Sequence, residues 1–417
     1  MKDCPESRKF VVIMRAKTVL AMNLFRCFVG MLFLTAGSAQ AEQADGVPDR
    51  ASLPVHPDSS LSLKLEIQHA IDRGVQWLGG QQNRDTGSWS DAAQPALTAL
   101  PLAAMMGDPS RKPHDAPSPA AAMGYSFLAG KAQDDGGIYG KGLACYNTSL
   151  SLMALLLYPS AEYDLLKLEA RRFLINQQSD FDIRGEADHP YDGGIGYGGT
   201  YAHSDLSNTH FALEALYYSR VLVAEAGGKR DRSMDLDWDA AITFVSRTQN
   251  LPATSGEWAS DDPENRGGFV YFPGNSKAGK QELADGTVAL RSYGSMSYAG
   301  LLSFVYAGMD ADDPRIVAVL EWLRRNYTLD ENPGMGSEGL YYYYHTMAKA
   351  LAIVGAEEIK LENGQIVDWR HDLATRLLSN QGKDGSWTNA TGRWWENDPV
   401  LTTAYSLLAL EHIYRRL

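Results

Sequence analysis

Residues 146–158 read YNTSLSLMALLLY, and five further segments follow the same plan. They are QPALTALPLAAMM at 94–106, SNTHFALEALYYS at 207–219, SMSYAGLLSFVYAG at 295–308, YYHTMAKALAIVG at 343–355 and LTTAYSLLALEHI at 401–413. Counted from Thr98, Thr148, Thr209, Ser297, Thr346 and Thr403, the steps are 50, 61, 88, 49 and 57 residues, so only the fourth repeat is stretched. Ahead of each apolar segment lies a more polar one with helical spacing, such as LEIQHAIDRGVQWLGGQQ (65–82), AVLEWLRRNY (318–327) and DLATRLLSNQ (372–381). The two are joined by glycine-punctuated turns: DTGSW (85–89), DDGGIYG (134–140), YDGGIGYGG (191–199), RGGFVYF (266–272), NPGMG (332–336) and KDGSW (383–387). Glycine supplies the backbone freedom of a sharp turn, and the neighbouring aromatic packs beneath the helix pair. One helix pair cannot bury its apolar face, but a ring of pairs can. The expected fold is therefore all-α, an (α/α)6 toroid whose apolar helices line the inside and whose amphipathic helices form the outer wall. An open solenoid fits less well, since the last segment, 401–413, is as apolar as the internal ones.

The N-terminus has a different character. Residues 22–41, MNLFRCFVGMLFLTAGSAQA, combine Arg26, an apolar run from Phe28 to Leu34 and Ala39-Gln40-Ala41, the pattern of a cleaved export signal. The run is too short for a stable membrane anchor. The expected order is a signal peptide at 1–41, an extended segment at 42–64 and the toroid at 65–417, with translation starting at Met1, Met14 or Met22. The expected location is periplasmic or extracellular. Cleavage removes six Lys/Arg and two Asp/Glu, taking the net charge from −13 to −17 over the remaining 376 residues. An acidic chain without a basic stripe argues against nucleic acid and anionic membrane surfaces as partners. Cys4 and Cys27 leave with the signal, so Cys145 has no partner for a disulfide.

Residues 73–89, RGVQWLGGQQNRDTGSW, carry Arg-Gly, an aromatic-Leu pair, Gln and Gly-x-Trp in the order of the QW repeat, and LLSNQGKDGSW at 377–387 repeats its second half. The chain thus resembles the terpene cyclase and protein prenyltransferase superfamily, including squalene-hopene cyclases, over nearly all of 65–413. That resemblance implies that Gln82, Trp89, Gln381 and Trp387 tie helix pairs together. It says more about fold than about activity.

Cyclases of the acid-initiated class protonate an alkene or epoxide from the middle Asp of an Asp-x-Asp-Asp-Thr motif that opens an inner helix. The literal run Asp310-Ala311-Asp312-Asp313 stands instead before Pro314 and an outer helix, where capping explains it. At the matching place stands Asp205-Leu206-Ser207-Asn208-Thr209, with Ser207 where the proton donor belongs and Asn208 in place of the last Asp. A hydroxyl cannot deliver a proton at the acidity an alkene requires. Prenyltransferase β subunits hold zinc through Asp, Cys and His. Tyr344-His345-Thr346 resembles their His segment, but Arg291 and Tyr293 occupy the other two ligand places, so no metal and no cofactor is expected.

In a toroid the N-termini of the inner helices converge on one mouth. Asn147, Thr148, Asn208, Thr209, His210, Tyr344 and Thr402 are the expected ligand-binding residues there. Asp205, His345 and Asp398 are the candidates for any catalysis. Tyr341 to Tyr344 form either an aromatic lining or packing at the entrance. Residues 250–292 are expected to fold over the mouth as a lid, with Trp258, Phe269, Tyr271 and Phe272 as its contact surface. The expected partner is a small molecule, apolar or mixed polar and apolar. Three other readings stay open: a divergent terpenoid cyclase or isomerase, a carbohydrate-active (α/α)6 enzyme using mouth carboxylates, and a non-catalytic scaffold.

Overall fold

The computed structural model describes residues 59–112, 115–198, 203–225 and 235–417. The expected signal peptide and its cleavage site lie outside the described residues. Twelve helices alternate between an outer and an inner ring. The outer helices are α1 (Ser59–Gln81), α3 (Pro119–Ala129), α5 (Asp164–Ile175), α7 (Trp238–Arg247), α9 (Pro314–Arg325) and α11 (Trp369–Asn380). The inner helices are α2 (Ala96–Gly107), α4 (Ala144–Leu156), α6 (Leu206–Tyr218), α8 (Gly294–Tyr306), α10 (Leu340–Val354) and α12 (Pro399–Tyr414). Each inner helix packs on the next, and α12 packs back on α2, so the ring closes. The fold is an all-α toroid of six helix pairs. The first helix opens at Ser59, six residues ahead of the expected boundary at 65. Two short hairpins, Lys280–Glu282 with Val288–Leu290 and Ile359–Lys360 with Ile366–Val367, decorate the loops.

Composition decides which ring a helix joins. The inner helices are buried on nearly every face, whereas α7 buries Ala241, Phe244 and Val245 along one stripe and α9 buries Ile316, Val319, Trp322 and Leu323. Four outer helices start on side-chain caps with ordinary chemistry. Ser118, Asp237, Asp313 and Asp368 accept from backbone N–H groups of the first turn, and Pro119 and Pro314 follow two of them. The Asp310–Asp313 run is therefore a cap: Asp313 accepts from Arg315 N at 2.9 Å and from the Arg315 guanidinium at 2.7 and 2.8 Å.

One joint recurs around the ring and explains the repeat. In four repeats a Gln at the end of the outer helix bridges its own turn to the next outer helix. Gln82 Nε2 donates to Gly87 O and Ala120 O, Gln178 to Gly193 O and Asp237 O, and Gln249 to Gly267 O and Arg315 O. Gln381 donates to Gly385 O and to Ala70 O of α1 (both 2.9 Å), joining the last repeat to the first. The turn glycine lies against the same neighbour: Gly385 has φ +98°, and a Cβ there would lie 2.7 Å from Arg73 O. A hydroxyl completes the joint. Thr98, Thr148, Thr209, Ser297 and Thr403 accept from the backbone N–H of Trp89, Ile138, Ile195, Phe269 and Trp387, all at 2.9–3.0 Å. The indoles of Trp89 and Trp387 are buried and donate to Leu78 O and Leu377 O. The turn's backbone N–H groups and the glutamine amide donors thus find partners inside the ring wall, while Gln82 Oε1 and Gln249 Oε1 are buried without one.

Candidate functional site

The inner-helix N-termini converge on one mouth, and below it lies a cavity of about 400 Å³. Its walls come from the starts of four inner helices and the loops before them. Leu143 and Tyr146 belong to the α4 end, Ser207 and Phe211 to α6, Tyr293, Ser295 and Met296 to α8, and Gly339 and Tyr342 to α10. Tyr405 of α12, Tyr197, Tyr271 and the loop residues Gly392, Trp394, Trp395 and Glu396 complete it.

Aromatic contacts between inner helices, one of them (Phe211 with Tyr342) across the ring, define the floor. Tyr146 packs edge-on to Phe211 at 5.4 Å, Phe211 lies 5.8 Å from Tyr342, and Tyr342 lies 5.7 Å from Tyr405. Deeper in the bore, Lys349 of α10 donates to both carboxylate oxygens of Glu214 on α6, at 2.8 and 2.9 Å. These helices are separated in the ring by α8, so the pair bridges two inner helices that are not neighbours. Neither residue lines the cavity.

None of the ten residues expected at the mouth lines this cavity. Asn147 is fully buried, accepts from Ala96 N (3.0 Å) and donates to Gln94 Oε1 (2.8 Å), so it caps the neighbouring α2. Thr148 and Thr209 serve the turn joint, and the Thr402 hydroxyl donates to Trp387 O. Asp205 caps α6: it accepts from Asn208 N at 2.9 Å and Asn208 Nδ2 at 2.7 Å. Burial pushes its carboxyl up to about 6 against those hydrogen bonds. Asp398 caps α12, accepting from Val400 N. Tyr344 points outward and donates to Leu329 O. His210 stacks on Tyr306 at 6.2 Å, His345 stacks on Tyr405 at 5.5 Å, and burial holds both imidazoles well below their usual range. Among the described residues no three of His, Cys, Asp and Glu converge as a metal would need. Of the positions compared with zinc ligands, Arg291 is exposed and Tyr293 lies on the cavity wall.

The misplacement has a helical cause. The recurrent Thr or Ser faces the turn joint, so the bore lies on the opposite side, two residues away in either direction at 100° per residue. Tyr146 and Ser207 stand two before their anchors, and Phe211 and Tyr405 two after; all four line the cavity. Ser295 does the same for Ser297. That rule was available in the sequence once the anchor's role was known. Among Tyr341–Tyr344 only Tyr342 faces the bore, while Tyr343 donates outward to Thr328 O. Of the four aromatics expected in the 250–292 segment, Tyr271 alone reaches the cavity, its hydroxyl 3.1 Å from that of Tyr197. Phe269 packs on Phe304 in the wall, and Phe272 packs on His203 and Tyr191.

Among the described residues, Glu396 is the one carboxylate of the lining. Helix α10 starts after Gly339 in a left-handed conformation and has no cap of its own. Glu396 supplies it from the adjacent loop: Oε1 accepts from Tyr342 N at 2.8 Å, and Oε2 from Tyr341 N at 3.2 Å and Asn389 Nδ2 at 2.7 Å. Burial raises its carboxyl above the usual range, opposed by these donors. Beside it, Trp394 and Trp395 adopt φ of +55° and +62° and keep 40% and 43% of their surface exposed, a rim of two indoles held in a costly backbone conformation.

No protein-family model and no curated protein matches the chain. Solved structures do. Type II terpene cyclase MstE from Scytonema, in complex with merosterolic acid A (product), superposes with a TM-score of 0.50 at 13% identity, over 86% of this chain and 99% of that one. The same cyclase with geranylgeranyl dihydroxybenzoate (substrate) gives 0.50 at 12% identity, over the same shares. At such identity the likeness speaks for architecture alone. The chain has the α/α toroid fold of type II terpene cyclases.

Proposed function

We propose that this is an exported cyclase-like toroid protein that binds one small, partly apolar molecule in the aromatic cavity, without the acid chemistry of type II cyclases or the zinc chemistry of prenyltransferases. The observation that carries the reading is the cavity itself: about 400 Å³, lined mostly by aromatic side chains at the inner-helix starts. Ser207 stands on its wall, where the resemblance to cyclases would place the proton donor. The nearest carboxyl in sequence, Asp205, has both oxygens engaged by Asn208 and does not reach the lining. A two-carboxylate glycan mechanism finds, among the described residues, a single carboxylate in the lining, Glu396. A scaffold with a filled bore does not need the space.

The test is binding of an apolar fluorescent probe, read by its emission and by quenching of Trp394 and Trp395. One site per chain is expected, and Ser207→Phe, which fills the cavity from its wall, should abolish it with little change in melting temperature. Binding that survives Ser207→Phe would place the ligand elsewhere. For the export component, N-terminal sequencing of the secreted protein should begin at Glu42; an intact 1–41 segment refutes it.

A further inference from the structure

Nine of the sixteen residues that line the cavity are aromatic, one is a carboxylate, and among the described residues none of the lining is Lys, Arg or His. Glu396 caps α10 and also faces the cavity, so its negative charge lies on the wall, where it would repel an anion and attract a cation. Aromatic faces carry negative potential, and they attract an organic cation most strongly where water is excluded. The rim already behaves this way toward the protein's own side chains: Lys277 lies over the Tyr271 ring at 4.4 Å and Arg393 over Trp394 at 4.5 Å. Among the described residues, no Lys or Arg lies over the rings of Tyr146, Tyr293, Tyr342 and Tyr405 inside. Glu396 accepts only from N–H donors, at the positive end of α10, an arrangement that suits its ionised form.

From this geometry we infer that the ligand carries an alkylated ammonium group, held against the aromatic walls with Glu396 as its counter-charge, and an apolar remainder filling the rest of the cavity. This rests on the cavity being the binding site. An ammonium bearing alkyl groups fits better than a bare one, because it loses little hydration on entry and offers the tyrosine faces a broad, diffuse charge. The net charge of −13 favours approach of cations in general.

The experiment compares benzyltrimethylammonium with neopentylbenzene, its neutral carbon isostere, by titration against tryptophan fluorescence and by calorimetry. The two have nearly the same shape, and ordinary hydrophobic transfer favours the neutral one. Preference for the cation by about ten-fold or more is expected. Glu396→Gln should reduce that ratio to near one. Since Glu396 also caps α10, Trp395→Leu gives a second arm that leaves the cap intact; it should weaken the cation several-fold more than the neutral probe and leave the melting temperature nearly unchanged. Equal or tighter binding of neopentylbenzene overturns the inference while leaving the cavity reading in place. So does binding of an apolar fluorophore that neither small probe displaces. Failure of all three to bind overturns both.

Discussion

Thr403 shows what a single residue does in this fold. Its hydroxyl accepts from Trp387 N at 3.0 Å in a fully buried environment, and it is the last of five such hydroxyls around the ring. Valine has nearly the same shape but cannot accept. Thr403→Val would leave one buried N–H unpaired, at a cost of about 1–3 kcal/mol. Chemical denaturation should report that loss, and probe binding in the cavity should be unchanged because Thr403 faces away from it. A loss below a few tenths of a kcal/mol would show the joint to be dispensable. The sequence displayed this residue six times over in register, as a repeat marker, but not which way it faced. A repeat reveals that a position matters and leaves open whether it serves the wall or the bore. Thr148 and Thr209, which helix-start convergence places at the mouth, belong to the wall, as does Thr402 beside the anchor Thr403. Tyr146, Ser207 and Tyr405, two residues from an anchor, face the bore instead.

At the scale of elements, the ring depends on how one helix pair meets the next, and the turn glycines set that distance. Gly385 and Gly364 separate two effects of substitution. Both have positive φ, +98° and +84°, so alanine strains the backbone at either. Around Gly364 nothing lies within 4 Å of a new Cβ, whereas at Gly385 it would meet Arg73 O of α1 at 2.7 Å. Gly364→Ala should cost about 1 kcal/mol, the conformational part alone. Gly385→Ala should cost clearly more, because the closing joint of the ring must open to admit the methyl group. Thermal melts of the two variants decide it: equal losses would mean that the last repeat does not bear on the first. These joints were legible in the sequence, since Gln and Gly-x-Trp recur at fixed offsets. The loop carrying Trp394, Trp395 and Glu396 was not, because it occurs once and its role depends on α10 lacking a cap, which only the three-dimensional arrangement reveals.

Across the whole molecule, burial of ionisable groups makes stability depend on pH in a direction that can be worked out. Glu411 of α12 is 2% exposed, and burial pushes its carboxyl up to about 8, against the nearby Arg415 and with the help of Asp108. In the unfolded chain a Glu titrates near 4.3. Between these values the folded state holds a proton that the unfolded state has lost, so stability rises as pH falls through about 8 and is diminished above it. Asp205, raised to about 6, acts in the same direction but only below that value. His210, His345 and His412 oppose both: burial lowers each, so the unfolded state gains protons first and stability falls as pH drops below about 6.5. Between pH 6.5 and 8 the Glu411 effect therefore stands nearly alone. The melting temperature of the native protein should fall across that interval and the Glu411 contribution level off above it, once the folded-state carboxyl ionises too, and Glu411→Gln, which keeps the shape and removes the titration, should flatten the curve. The variant should already melt higher than the native protein at pH 6.5, and by a wider margin at pH 8. Parallel curves from pH 6.5 to 8 would mean that Glu411 is ionised in the folded state throughout, held by Arg415 despite its burial.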